Sequence, residues 1–268
     1  MSNVLYLFCL ARTGLVDHIE GTGITGTEDL ILKNFSGVTA VTCEVPEDDF
    51  SGESAEIKLQ DLAWVGPRAV RHDRIIEEIM QYSPVFPAPF GSLFSSEKRL
   101  GTLIESNIDA IREFLDHTAD KQEWSVKGLV CKSKAVDEIF TGKLKILSET
   151  LSSSPAGMRY FKERQMRSEA EKELSGKVKA ACTVVGEKLL ACSNNFRQRK
   201  NISFGKAEGD KQLVVNWAFL VDHSRISYFL DQVEHANSNY QAGGLAFECS
   251  GPWPPYSFCP SLHMEPTR

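Results

Sequence analysis

The sequence predicts an α+β protein built as two domains. Three observations predict it. The chain has 268 residues, which is long for one core and comfortable for two. Short apolar or alternating runs, the signature of strands, are mixed with long stretches of helical spacing. A polar break, Asp120-Lys121-Gln122, separates an N-terminal α+β domain (residues 1–121) from a C-terminal domain (residues 122–268). Apolar residues at 42% and charged residues at 25% give the balance of an ordinary globular chain.

In the first domain, Val4 to Ala11 is a continuous apolar run. No basic residue precedes it and no cleavage signature follows, so it reads as a buried strand and not as a signal peptide. A Gly/Thr-rich loop spans 17–27, and residues 28–33 offer at most two helical turns before Asn34 and Gly37. A second strand, Val38 to Val45, ends at Pro46 and the acidic turn Glu47-Asp48-Asp49. A helix from about Trp64 to Tyr82 lines Val65, Ala69, His72, Ile76, Ile79 and Met80 on one face. Pro84 to Phe94 is then a rigid apolar strap, because its prolines end the helix and cannot donate to a ladder. One further helix, about Ser96 to His117, carries Leu100, Leu103, Ile104, Ile108, Ile111 and Leu115 as a stripe.

The second domain opens with a strand, Trp124 to Cys131. A helical region runs from about Lys134 to Cys192, interrupted near Ser152-Ser153-Ser154-Pro155, where Pro155 suits a helix start. Phe196 to Ser203 is a weak strand, Gln212 to Val221 a strong one, Arg225 to Ala236 a helix and Gly244 to Cys249 the last strand. The order βαββαβ is the ferredoxin-like arrangement, modified by an enlarged helical insertion. Within that insertion, Lys162 to Glu173 is polar except for Met166. It reads as a solvated helix middle or as a projecting arm that contacts a partner. Gly251 to Phe258 is a second proline-stiffened strap, extended and unable to form a helix or a central strand.

Chemistry-bearing motifs are scarce. Gly21-Thr22-Gly23-Ile24-Thr25-Gly26 spells G-x-G-x-x-G, with Glu44 downstream. A dinucleotide site needs those glycines between a strand and a long helix, and neither flanks them. The six histidines do not cluster, and His72 on an apolar helix face reads as a hydrogen-bonded core residue. Glu47, Asp48 and Asp49 are neighbours, not carboxylates facing each other across a cleft. Seven scattered cysteines make neither a disulfide framework nor a zinc site, and read as buried thiols in a reducing cytoplasm. No segment is long enough to cross a membrane. A net charge of −6 disfavours nucleic acid. Arg197, Arg199, Lys200 and Lys206 form a modest basic patch, but the expected central strands show no clear aromatic interleaving. No cofactor, metal or catalytic residue is assigned.

What remains points to surfaces. Rigid apolar groups lose little entropy on docking. Phe86, Phe90, Phe94, Trp253, Tyr256 and Phe258 on the two straps are therefore the candidate partner-binding residues, unless the straps pack wholly inside their own domains. The competing reading is a small-molecule enzyme using a cleft between the domains.

Trp64, Arg68, Ala69 and His72 on one helix, Pro84 through Phe94, and Glu123-Trp124-Ser125-Val126-Lys127 form the first part of a pattern. Gly157, Tyr160 and Arg164, then Asn216 with Ala218 to Val221, and finally Gly251 to Phe258 complete it. Together they resemble the GvpF/GvpL family of gas vesicle proteins over nearly the whole chain, and within it the GvpF members. One departure is Ala88-Pro89, where many members carry Leu-Arg before Phe-Gly, a difference that fits a subgroup such as cyanobacterial GvpF. The resemblance implies a non-enzymatic accessory or minor structural component, located at the gas vesicle in the cytoplasm. It implies contact with the hydrophobic major shell protein GvpA and with other accessory proteins. It also implies two α+β domains, the second a modified ferredoxin-like fold.

Overall fold

A computed structural model describes residues 3–50, 53–152, 155–200 and 210–263. The chain divides into two compact units, Met1–Glu123 with Pro252–Arg268, and Trp124–Gly251. The C-terminal strap, which the sequence reading keeps in the second domain, packs with the first unit.

The first unit is built on strand β1, Asn3–Arg12, buried from Val4 to Ala11. It pairs with β3, Val38–Pro46, in an antiparallel register running from Asn3↔Pro46 to Arg12↔Val38, with an irregularity between Leu7 and Cys9. Residues 28–33 do not form helical turns. Their second half belongs to strand β2, Ile31–Phe35, which forms a hairpin with β3. The cause is the two-residue turn: Ser36 (φ 47°) and Gly37 (φ 85°) both take the left-handed conformation a type I′ turn needs. The acidic run Glu47–Phe50 is a one-turn helix, α1, followed by α2, Glu53–Gln60.

Helix α3, Leu62–Met80, is capped by Asp61, whose carboxylate accepts from the Ala63 amide. It buries His72, Ile75, Ile76 and Ile79. The strap after it becomes strand β4, Val85–Pro87, on the free edge of β1, as the sheet order β2-β3-β1-β4 shows. An edge is where a strand can hold a proline. Strand β5, Leu93–Phe94, also pairs with β1.

The expected single helix over 96–117 is two: α4, Glu97–Ser106, and α5, Ile108–Thr118. Asn107 breaks them. It leaves helical geometry (φ −125°, ψ 16°), and its side-chain amide donates to Leu103 O. Within the polar break, Asp120 lies in a turn and strand β6, Lys121–Cys131, begins at Lys121.

In the second unit, β6 leads into α6, Lys132–Ser152, and α7, Ala156–Ala191, which pair as a helical hairpin. Val136 and Ile139 of α6 pack on Ala170 of α7, and Lys143 bridges Glu169 and Glu173 at 3.2 and 2.6 Å. The polar stretch 162–173 therefore has a buried seam, Met166 and Ala170. Strands β7, Asn195–Gln198, β8, Lys211–Asp222, and β9, Leu245–Trp253, complete a sheet in the order β7-β8-β6-β9. Residues 201–203 of the weak strand and Lys206 of the basic patch lie outside the described residues. Helix α8, Ile226–Tyr240, packs Phe229 and Val233 into the core beside Trp217, Phe219 and Phe247. Ladder structure persists through Pro252 and Trp253, further than expected, because β9 is an edge.

Candidate functional site

The strap aromatics of the first unit meet a chain of buried polar groups. Tyr6 Oη lies 3.0 Å from His72 Nδ1, His72 Nε2 lies 3.1 Å from Ala88 O, and the Gly91 amide donates to Tyr6 Oη at 3.1 Å. A carbonyl only accepts, so Nε2 carries the proton and Nδ1 accepts from the tyrosine. Burial holds the His72 pKa below the ordinary histidine value and pushes the Tyr6 phenol up. The first strap is thus fixed from below at Ala88 and Gly91.

The second strap is fixed the same way. Tyr256 Oη donates to Asp73 Oδ1 at 3.0 Å, and burial followed by the Asp73 charge pushes the Tyr256 phenol up. Glu123, fully buried, accepts from the Ser257 amide and hydroxyl.

The six candidate residues are therefore not equivalent. Phe86 is buried against Phe114, with ring centroids 5.0 Å apart, and Phe258 is buried. Phe90 is half-buried and edge-on to Tyr6 and His72. Phe90 and Tyr256 both pack on the first unit's core, so the fold brings these two to one cluster. Phe94 is half-buried opposite Leu5. Trp253 is 37% exposed. The polar pins Tyr6, Asp73, Glu123 and Ser257 escape sequence reasoning. Tyr6 carried a signal, a hydroxyl inside the apolar run Val4 to Ala11, whereas Asp73 and Glu123 sit among polar neighbours and carried none.

The glycine-rich loop is closed on itself. The Gly23 amide donates to Glu28 O, and the Thr25 amide donates to the Glu28 carboxylate at 3.0 Å. Burial works to raise the Glu28 pKa, but hydrogen bonds from Thr25 and the loop amides outweigh it and hold it low. Nothing there resembles a phosphate cradle at a helix start. Of the basic patch, Arg199 donates to Ser125 Oγ at 3.3 Å. Among the described residues no group of His, Cys, Asp and Glu is placed to hold a metal ion. No described helix is long and apolar enough to cross a membrane.

A further candidate surface lies in the second unit. A groove of about 1180 Å³ runs between the α6–α7 hairpin and the β7–β8 side of the sheet. Leu174, Val178 and Cys182 of α7 form one wall and Val214 and Trp217 of β8 the other. A Cβ on Gly186 would stand 3.3 Å from the Trp217 ring, so helix and sheet approach closely at that end. Trp217 in turn stacks on Phe247, with planes 15° apart. Burial pushes the Cys182 thiol up to about 11, which leaves it protonated and unreactive near neutral pH. Arg167, Glu171, Lys179 and Glu187 ring the groove with both signs of charge. Such a site offers apolar contact inside a charged rim. Sequence reasoning reads Leu174, Val178, Ala181, Val185 and Leu189 as an apolar stripe at helical spacing. It did not find that part of the stripe faces open space, although apolar residues off the stripe, Val184 and Leu190, were a hint and are exposed.

The fold is shared by solved structures. The crystal structure of the gas vesicle protein GvpF from Anabaena sp. PCC7120 superposes with a TM-score of 0.71 at 16% identity, covering all of both chains. That of GvpF from Microcystis aeruginosa gives 0.67 at 14%, covering 96% of this chain and 99% of the other. Among curated sequences, gas vesicle protein L of Streptomyces sp. (strain CB03234) is 24% identical over 241 residues, 89% of this chain and 86% of the relative. Gas vesicle protein L1 of Halobacterium salinarum is 23% identical, covering 98% of this chain and 92% of its own length. The gas vesicle synthesis protein GvpL/GvpF family profile matches residues 4–260, and the chain belongs to that family.

Proposed function

We propose that this protein is an accessory or minor structural component of the gas vesicle that binds the hydrophobic major shell protein, GvpA, and keeps it from aggregating before assembly. The role is structural and not catalytic. Its second unit is read as a modified ferredoxin-like fold in which the α6–α7 hairpin enlarges the first crossover. The element order and the strand order β7-β8-β6-β9 support that reading.

The observation that carries the proposal is the apolar groove. A volume of about 1180 Å³, walled by α7 from Arg167 to Leu190, has room for the apolar face of a helix laid along it. An amphipathic helix laid in such a groove buries its apolar face. Each Leu or Val removed from water contributes about 1.5–3 kcal/mol, so several are needed to outweigh the loss of free motion on association. A shell subunit with a large apolar face aggregates unless that face is covered. Of the strap aromatics, Trp253 and Phe94 keep exposed surface and are proposed to add contacts. Phe86, Phe90, Tyr256 and Phe258 hold the straps in shape.

The test is co-expression of the shell protein with this chain. A soluble complex is expected, and Val178→Glu in the groove should disrupt it while the chain stays folded. A shell protein that precipitates equally with and without this chain would sink the proposal.

A further inference from the structure

The groove face of α7 continues past the groove, and its chemistry changes there. Glu171, Arg167, Arg164 and Tyr160 follow one another at steps of three and four, so all four lie along one side of the helix. Beyond Arg167 that side leaves the groove and reaches the end of the hairpin. There Ile146 is 85% exposed, Tyr160 67% and Phe161 70%, and Met158 is exposed beside them. Single exposed apolar residues need no explanation, but a cluster holding two adjacent aromatics marks an interaction surface.

The charge of this end is inverted relative to the chain. Between residues 143 and 164 there are five Lys and Arg against two Glu, in a protein of net charge −6. Lys143 is engaged by Glu169 and Glu173. Arg159 and Arg164 are exposed and enter no ion pair among the described residues. Helix pairing does not need them, since the seam is made by Val136, Ile139 and Ala170.

We propose that the hairpin tip is a second docking point, continuous with the groove, that receives the acidic end of the same partner segment. The occupant is an amphipathic helix, apolar along the face that enters the groove and carboxylate-bearing where it passes Arg159 and Arg164. This rests on the groove reading given above. The lane from Tyr160 to Leu190 is about 45 Å long, and a partner helix of about thirty residues would fill it. Charge complementarity selects an acidic segment, and continuity with a concave groove selects a protein helix over a flat anionic membrane.

The probe is a set of overlapping synthetic peptides spanning the shell protein, titrated into the complete chain at about 0.05 M and about 0.5 M salt. The binding peptide should be acidic at one end. Arg159→Glu with Arg164→Glu should weaken it at least about tenfold at low salt, with the difference shrinking at high salt. Tyr160→Ser with Phe161→Ser should weaken it at both. Melting temperatures should be unchanged, since all four side chains are exposed. Loss of binding in Val178→Glu with full affinity in both tip variants overturns the tip assignment and leaves the groove standing. No peptide binding by the unmodified chain removes the groove reading and the tip with it. Two control results also overturn the assignment. One is tip variants that lose binding to phosphatidylserine vesicles but not to peptide. The other is a tip substitution that converts a self-associated chain to monomer in sedimentation.

Discussion

Glu123 and Ser257 lie 134 positions apart and are joined by two hydrogen bonds, from the Ser257 amide at 3.0 Å and its hydroxyl at 2.8 Å to the two oxygens of a fully buried carboxyl group. The glutamate opens one family motif and the serine lies one residue before the end of another. Each motif is read in the sequence as a separate strand or strap, and in the fold one holds the other. The strap's rigidity therefore comes from proline and its placement from Glu123.

This pairing predicts an order of stability. Glu123→Gln can still accept from the Ser257 amide while its own amide donates to the hydroxyl, which turns to receive it. Its loss should stay under about 1 kcal/mol. Glu123→Leu keeps the bulk but orphans the Ser257 donor, at about 1–3 kcal/mol. Urea denaturation and exchange of the Ser257 amide measure both. Equal losses in the two variants would mean that packing, not hydrogen bonding, sets the strap.

His72 predicts a pH dependence. Burial lowers its folded pKa below the unfolded value of about 6.5. Between those two values the unfolded chain binds the extra proton, so stability rises with pH there. The contribution is complete above about 6.5 and is lost as pH falls toward the folded pKa. Protonation would also turn Nδ1 into a donor facing Tyr6 Oη, which then has to stop donating to it. His72→Phe should melt lower than the parent at pH 7.5 but lose less on going to pH 5.5. A parent and variant whose melting temperatures fall in parallel would refute the assignment.

How much of this was legible depended on whether a residue acts locally. The α3 face, the buried β1 and the strong β8 were readable because period and composition report local burial. The β2–β3 hairpin was not, since Ser36-Gly37 is a weaker turn signal than Asn-Gly, and 31–35 is too short for alternation to stand out. The break at Asn107 was missed because the apolar stripe Leu100, Ile104, Ile111 and Leu115 runs through it unbroken. The groove was missed for a third reason: the sequence shows that α7 has an apolar face but not that the sheet meets only part of it. Sequence reasoning singled out the straps' aromatics, but how deeply each is buried was set by Tyr6, Asp73 and Glu123, which arrive from distant positions.

The hairpin turn itself can be improved. Ser36 at φ 47° sits in a region that costs most L-residues about 1–2 kcal/mol and that Asn tolerates best. Ser36→Asn completes the preferred Asn-Gly pair and should raise the melting temperature, whereas Ser36→Val should lower it. The Ser36 carbonyl keeps its contact with Arg112 in both, because only the side chain changes. If neither substitution moves the transition, the hairpin is not part of the cooperative unit.

Asn107 offers the sharpest test of how the C-terminal segment is held. Its side-chain oxygen accepts from the His263 amide at 2.9 Å, and its amide nitrogen donates to His263 O at 3.0 Å and Leu103 O at 2.8 Å. One buried side chain thus ends α4 and clasps the chain near its terminus. Asn107→Ala removes all three bonds and also restores good helix propensity at the break. The two effects oppose each other. If the clasp dominates, the variant loses about 1 kcal/mol, from the lost hydrogen bonds, and proteases cut near residue 260 before the core opens. If helix continuity dominates, α4 and α5 merge and stability rises by a few tenths of a kcal/mol. The clasp should win, because a propensity gain at one position is smaller than the loss of three part-buried hydrogen bonds. A variant that is more stable and equally protease-resistant would show that the segment is anchored by the Glu123 and Asp73 bonds to the strap and not by Asn107.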